Sequence, residues 1–149
     1  MKNMVMKQLD QQLSELKPLK SVQSPMRGWL RAIRDALGMS GPQMARRMSV
    51  TKQRISLMEK AEVNGSATLN SMRQAAEALE CQFIYAVVPR DSLKATVERQ
   101  ARKLAEKEQA YTSQTMLLED QMPSPEERAV ALESAVADII QRMPKSLWD

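Results

Sequence analysis

Histidine is absent from the 149-residue chain, and Cys81 is the only cysteine. Without histidine there is no Ser–His or Cys–His nucleophile pair and no histidine general base or metal ligand. With a single thiol as well, a structural zinc site is nearly excluded. One cysteine also rules out an intramolecular disulfide, which agrees with a reducing compartment. Four glycines, none in a phosphate-cradling run, leave no nucleotide loop, and aromatic residues make up only 3%. No apolar run approaches the roughly 18 residues that a membrane helix needs. No leader pattern is visible at the N-terminus. These absences argue against an enzyme, a resident cofactor or metal and a membrane partner. They predict a cytoplasmic protein.

What is present is apolar, aliphatic and unevenly charged. Hydrophobic residues make up 43%, with 12 methionines standing in for the scarce aromatics. Methionine fills irregular gaps and suits adaptable surfaces. Between Met26 and Arg73 there are nine Lys/Arg against three Asp/Glu, whereas from Leu104 to Asp149 there are four against nine. The first stretch suits phosphate contact through counterion release. The acidic stretch is either a solvated face or a surface for a basic protein partner.

The chain is organised around residues 39–60, which read as two short helices joined by a tight turn. Ser40 is placed to cap the first, Pro42 suits its first turn, and Gln43 stands at capping-box spacing. Met44, Ala45 and Met48 form one apolar face. Ser49-Val50 makes the turn, with Val50 pointing inward. Thr51 caps the second helix, whose buried face continues through Ile55 and Met58. Its outward positions are Lys52, Gln53, Arg54 and Ser56, long polar or cationic side chains of the kind a major-groove reader needs.

This pattern, Ser40-x-x-x-Met44-Ala45-x-x-Met48-x-Val50-Thr51-x-x-x-Ile55-Ser56-x-Met58-Glu59, resembles the helix-turn-helix of the phage-repressor (Cro/C1, XRE-like) family, over about residues 26–80. Ser49 departs from the glycine usual there, which predicts a left-handed serine at some energetic cost. The resemblance implies base contacts from Lys52 and Gln53, with Arg54 near. It makes Ser40, Gln43, Arg47, Thr51 and Lys60 candidates for phosphate. Leu57 stands where repressors often carry a further polar reader.

The flanking segments extend this plan. Residues 1–17 carry Val5, Leu9, Leu13 and Leu16 at helical spacing, an amphipathic arm that either packs on its own domain or contacts a second copy. Pro18 ends it, and a linker runs to residue 23. Ser24-Pro25 opens a helix with a core face of Trp29, Leu30, Ile33 and Leu37, with Arg27, Arg31 and Arg34 outward and Gly38 as C-terminal cap. Asn64-Gly65 signals a turn, and Thr68 caps a helix whose inner face is Leu69, Met72, Ala75, Ala76 and Leu79. The domain thus spans 24–80. Residues 81–88, apolar, aromatic and β-branched before Pro89, predict a strand. It needs a partner, either its counterpart in a second copy or a short segment near the N-terminus. A dimer through 81–89 would supply the two reading helices that a palindromic operator requires.

Residues 90–149 form a helical extension. A long helix from Asp91 to about residue 121 carries Val97, Leu104, Tyr111 and Leu118 at a seven-residue spacing. Its complementary positions, Gln100, Lys107 and Gln114, are polar, so packing on other helices is expected rather than a free coiled coil. Ser124-Pro125-Glu126-Glu127 is a capping box. It opens a last helix with Val130, Leu132, Val136, Ile139, Ile140 and Met143. Leu147-Trp148 is an apolar end, either tucked in or offered to a partner. The expected fold is mostly α: a repressor-like helix-turn-helix domain with an arm, one strand and this extension.

Several segments taken together carry a closer resemblance. These are Gln8-Leu9-Asp10, Gly28-Trp29-Leu30-Arg31-Ala32-Ile33-Arg34, Ala75-Ala76-Glu77-Ala78-Leu79-Glu80-Cys81, Tyr85-Ala86-Val87-Val88-Pro89 and Thr115-Met116-Leu117-Leu118-Glu119-Asp120-Gln121. In that order the chain is similar to the bacterial mobile mystery protein A family over nearly its full length. That family is typically encoded beside a Fic-domain protein in a toxin–antitoxin-like arrangement. The resemblance implies an antitoxin that binds double-stranded operator DNA, nucleoid-associated when bound, and inhibits a Fic toxin through its C-terminal helices. Inhibitory helices of Fic enzymes, which transfer AMP, follow Ser/Thr-x-x-x-Glu-Gly/Asn. The glutamate there pairs with an arginine that otherwise holds the ATP γ-phosphate. Thr115 and Glu119 fit, with Asp120 in place of Gly/Asn. Two alternatives stay open: Glu119 as an ordinary surface residue beside buried Met116 and Leu118, and a plain XRE-like repressor without a toxin partner.

Overall fold

A computed structural model of the chain describes residues 1–119 and 123–149. Among these residues the fold is mostly helical and contains no strand. The helices are α1 (Lys2–Ser14), α2 (Trp29–Ala36), α3 (Gly41–Met48), α4 (Lys52–Asn64), α5 (Leu69–Ala78), α6 (Leu93–Leu118) and α7 (Pro125–Arg142), with 3-10 turns at Lys17–Ser21 and Lys145–Trp148. They divide into two compact units, one of Pro18–Val87 and one of Met1–Lys17 with Val88–Asp149.

In the Pro18–Val87 unit, α2 to α5 enclose a core of Leu30, Met44, Ala45, Ile55, Met58, Ala75 and Leu79. Met44 and Ile55 are each only 1% exposed. A side chain buried to that degree contributes about 1.5–3 kcal/mol. The predicted caps hold α3, α4 and α5 at their starts. Ser40 and Gln43 form a reciprocal capping box, Thr51 accepts from the Arg54 N–H, and Thr68 accepts from the Ser71 N–H. Ser49 ends α3 in the left-handed conformation, with φ +56°. The Val50 and Ser49 N–H groups return to the Ala45 and Arg46 carbonyls there, which satisfies two of the acceptors a helix end leaves over. Gly38 closes α2 in the same manner at φ +66°.

The start of α2 differs from expectation. The helix begins at Trp29 rather than at Ser24-Pro25, because its cap comes from another helix. The Glu62 carboxylate of α4 accepts from the Trp29 N–H at 2.6 Å and the Leu30 N–H at 2.9 Å. A negative group bonded to the first turn suits the helix dipole. Gly28 makes this approach possible. It sits at φ +86°, and a Cβ there would come within 2.8 Å of the Glu62 carboxyl carbon. The inward face of α2 is Leu30, Ile33 and Arg34, which leaves Trp29 and Leu37 exposed. Val50, expected inward, is also exposed.

Arg34 is a further correction. Instead of facing outward it is buried, and its Nε and Nη2 donate to the two Glu59 carboxylate oxygens at 2.6 and 3.2 Å. Its Nη1 donates to the Met39 carbonyl at 3.0 Å. The ion pair holds the guanidinium pKa above its already high ordinary value against the opposing effect of burial. One side chain thereby joins α2, the turn after it, and α4.

Residues 81–88, expected as a strand, have no strand partner in the single chain. A strand is defined by its ladder, and β-branched composition without a neighbour cannot supply one. Residues 2–14 are helical and offer it no strand. Within 81–88, Phe83 stacks on Tyr85 with centroids 6.1 Å apart, and the Arg73 guanidinium of α5 lies 5.7 Å from the Tyr85 ring centroid. Ile84 and Val87 are exposed.

In the other unit, α6 and α7 pack antiparallel, as the Gln109–Arg128 and Arg102–Glu133 pairings require. The core is Val97, Ala101 and Ala105 of α6, Val136 and Ile139 of α7, and Leu147. The alanines let the helix axes approach closely. Leu147 is the tucked residue of the C-terminal pair, while Trp148 is exposed. Gln100, a polar seam position, donates to the Leu147 carbonyl at 2.8 Å. The arm helix α1 packs on α6 through Met6, and its Val5 and Leu9 stay exposed. Asp10 of α1 caps α6 by accepting from the Leu93 and Lys94 N–H groups at 2.7 and 3.1 Å. Arg102 holds the Glu133 carboxyl below its ordinary range through a bidentate pair. The stabilisation that pair gives is therefore present at neutral pH and is lost as pH falls through the lowered pKa.

Candidate functional site

The outer side of α4 is built from the inside. Ile55, Met58 and Glu59 are buried, which fixes the rotation of the helix. Lys52, Gln53, Arg54, Ser56, Leu57 and Lys60 are left exposed. Because Thr51 caps the helix, its first turn is fixed in direction, and three long polar side chains, Lys52, Gln53 and Arg54, project from it in succession. None of the four residues Lys52, Gln53, Arg54 and Lys60 pairs with another charged or polar side chain among the described residues. No partner has to be displaced before they meet a ligand.

The remaining sequence-derived candidates are more committed. The Ser40 and Gln43 oxygens accept from each other's backbone N–H groups at 3.2 and 2.8 Å. The Gln43 NH2 group and the Ser40 hydroxyl hydrogen remain as donors, the type a phosphate oxygen takes. Thr51 uses its oxygen on the cap at 3.1 Å. Arg47 lies apart from the α4 strip in its bonding. Its Nε donates to the Ala78 carbonyl at 2.8 Å and its Nη2 to Glu80 at 3.2 Å, at the C-terminal end of α5. That guanidinium serves as a staple between α3 and α5, placed where the helix dipole favours a cation.

In the other unit, Thr115 and Glu119 are exposed near the end of α6. The Thr115 hydroxyl donates to the Tyr111 carbonyl at 3.2 Å, and the Glu119 N–H closes the helix on the Thr115 and Met116 carbonyls. Four residues apart, the two side chains lie on one helical face. Leu118, expected buried, is 88% exposed, and Tyr111 is 75% exposed. The predicted seam therefore packs only in its first half, at Val97 and Leu104. Asp120, the departure from the inhibitory pattern, lies outside the described residues, as does the expected end of the helix near residue 121.

Among the described residues no helix is long and apolar enough to cross a membrane, and no cluster of three metal-ligating side chains occurs. Sequence reasoning missed Glu62, Asp10 and the Arg34–Glu59 pair. All three act between elements far apart in the chain, so no local spacing signals them. Comparison with protein-family models, with curated proteins and with solved structures found no match.

Proposed function

We propose that the chain is a cytoplasmic DNA-binding antitoxin of the helix-turn-helix type, acting on operator DNA through α3 and α4 and on a Fic-domain partner through α6 and α7. The observation that carries the DNA reading is the first turn of α4. There Lys52, Gln53 and Arg54 stand exposed on a capped helix whose opposite side is locked into the core. Lys52 and Gln53 are assigned to base edges, with Arg54 beside them. The spare donors of Ser40 and Gln43, together with Thr51 and Lys60, are assigned to phosphates. The bonds that Arg47 makes to α5 argue for a supporting role there instead.

Two reading helices need two copies. Residues 81–88 support a dimer, because Ile84 and Val87 are exposed on a segment that carries no charge and has no ladder partner. Such a segment pairs readily with its own copy about a two-fold axis. Selection from a pool of random duplexes tests both points. Enrichment is expected to converge on an inverted repeat, bound by a dimer in light scattering. Tyr85→Pro removes a ladder donor and is expected to give monomers that hold one half-site weakly. A pool that fails to converge overturns the DNA reading, and a single half-site bound by a monomer overturns the dimer.

The antitoxin reading is supported by Thr115 and Glu119 on one exposed face, beside the uncovered Tyr111, Leu117 and Leu118. The Glu119 carboxylate is assigned to compete with the nucleotide γ-phosphate for one arginine of the partner, a charge-assisted pair of about 1.5–3 kcal/mol. Glu119→Gly is then expected to restore AMP transfer in the co-purified complex, read as labelled-AMP incorporation, with the complex and DNA binding intact. If the variant complex stays silent, inhibition works by occlusion and Glu119 is only a surface residue.

A further inference from the structure

The unit of Met1–Lys17 with Val88–Asp149 leaves two surfaces outside its core that match each other. The first is a groove of about 590 Å³ between α6 and α7, lined by Ala95, Glu98 and Arg102 of α6 and Val136, Ala137 and Ile140 of α7 among others. The second is the outer side of α1, where Met4 is 66% and Val5 56% exposed. We infer that the groove seats the outer side of α1 from a second copy of the chain. The inference stands apart from the reading of α4 as the DNA-facing helix and from the strand contact at 81–88.

The packing of α6 on α7 explains why the groove is open. Two antiparallel helices leave a groove on each side of their contact. One side is filled in this unit, where Gln100 donates to the carbonyl of buried Leu147 at 2.8 Å. Glu98 and Arg102 lie about 200° around α6 from Gln100, at 3.6 residues per turn, and line the other side. Ala95 and Ala137 keep the walls there low, and Val136 and Ile140 add apolar surface. Such a seat takes one or two apolar side chains of an incoming helix. Met4 and Val5 are of that size, and methionine adapts to an irregular seat. Met6 and Asp10 commit the inner side of α1 to its own unit. The outer side can therefore meet a second copy while α1 stays in place.

Charge selects the occupant. Two arginines line the groove, and both are committed: Arg102 to Glu133 at 2.7 and 3.1 Å, and Arg99 to Asp91 at 2.7 Å. Glu98 is exposed and makes no ion pair or hydrogen bond with the described residues. The groove thus offers an unpaired acid beside apolar surface. The outer side of α1 offers the converse. Lys2 and Lys7 stand about 110° to either side of the Met4–Val5 direction, both exposed and neither paired among the described residues. An exposed charge match of this kind sets register and partner choice more than affinity. The contact is small and belongs with weak, transient interfaces, so a covalent trap is the suitable probe.

The test uses the full chain in a Cys81→Ser background, which removes the only native thiol. One preparation carries Met4→Cys. A second, marked by a size tag, carries Ala137→Cys. Mixed without DNA under mild oxidation, the two are expected to form a mixed disulfide, read as one band on a non-reducing gel. Met4→Cys mixed with Gln114→Cys, at an exposed position of α6 beyond the groove, gives the collision background. Glu98→Lys in the Ala137→Cys copy is expected to lower the yield to that background. Lys2→Glu with Lys7→Glu in the Met4→Cys copy is expected to recover it. Circular dichroism of these variants should match the wild type, since the three charged residues are exposed and hold no partner. A mixed disulfide no stronger than background overturns the inference, and the groove would then suit a helix of another protein. A band that survives Glu98→Lys, or that the reversed lysines fail to recover, overturns the charge match and with it α1 as the occupant.

Discussion

Glu59→Ala is expected to destabilise the Pro18–Val87 unit by about 3–5 kcal/mol, the usual cost of stranding one partner of a buried ion pair. Arg34 and Glu59 are each 7% exposed. Removing the carboxylate leaves the guanidinium with the Met39 carbonyl at 3.0 Å and the half-exposed Asp35 carboxylate at 3.7 Å. Arg34→Ala is expected to cost a similar amount. The double replacement Arg34→Met with Glu59→Leu should recover most of the loss, because two apolar side chains of similar volume strand no charge. Urea denaturation followed through Trp29, in a Trp148→Phe background, reads this unit alone. The difference should also hardly change with salt, since buried pairs are poorly screened. A single-variant loss below about 1 kcal/mol, the range of exposed pairs, would mean that water reaches the pair and that the helices are held by their apolar core alone.

The pair also marks the boundary of what the sequence could tell. Local signals were legible. Ser40, Thr51, Thr68 and Ser124 each cap the helix that follows, accepting from the backbone N–H three residues ahead. The left-handed end of α3 at Ser49 follows instead from the helix-turn-helix resemblance, in which a glycine usually stands there. Helical periodicity identified Met44, Ala45, Ile55, Met58, Ala75 and Leu79 as core. What failed depended on residues far apart. The start of α2 is not signalled locally, because its cap, Glu62, lies 33 residues from Trp29. Periodicity counts every arginine as polar and so places Arg34 outward, because its buried partner is 25 residues away. In the site, the exposed turn of α4 followed from Thr51 and the apolar row behind it. The commitment of Arg47 to the end of α5 did not, since it needs the packing of a third helix. The strand prediction rested on composition at 81–88, and composition cannot supply a partner.

The second large effect is expected at the first turn of α4. Lys52→Ala with Gln53→Ala should weaken binding to the selected operator by about 2–4 kcal/mol, at about 1–3 kcal/mol for each good base contact. On random duplex the same variant should lose much less, because there the protein is held by phosphates. The fold should be untouched. Both side chains are exposed and unpartnered, the cap at Thr51 remains, and alanine is a good helix former. Selection repeated with the double variant should relax the preference at the base pairs those side chains face, while the half-site spacing stays the same, since the dimer sets it. Equal losses on operator and random duplex would reassign Lys52 and Gln53 to the backbone. Base reading would then have to come from elsewhere on the exposed strip of α4, at Arg54, Ser56 or Leu57.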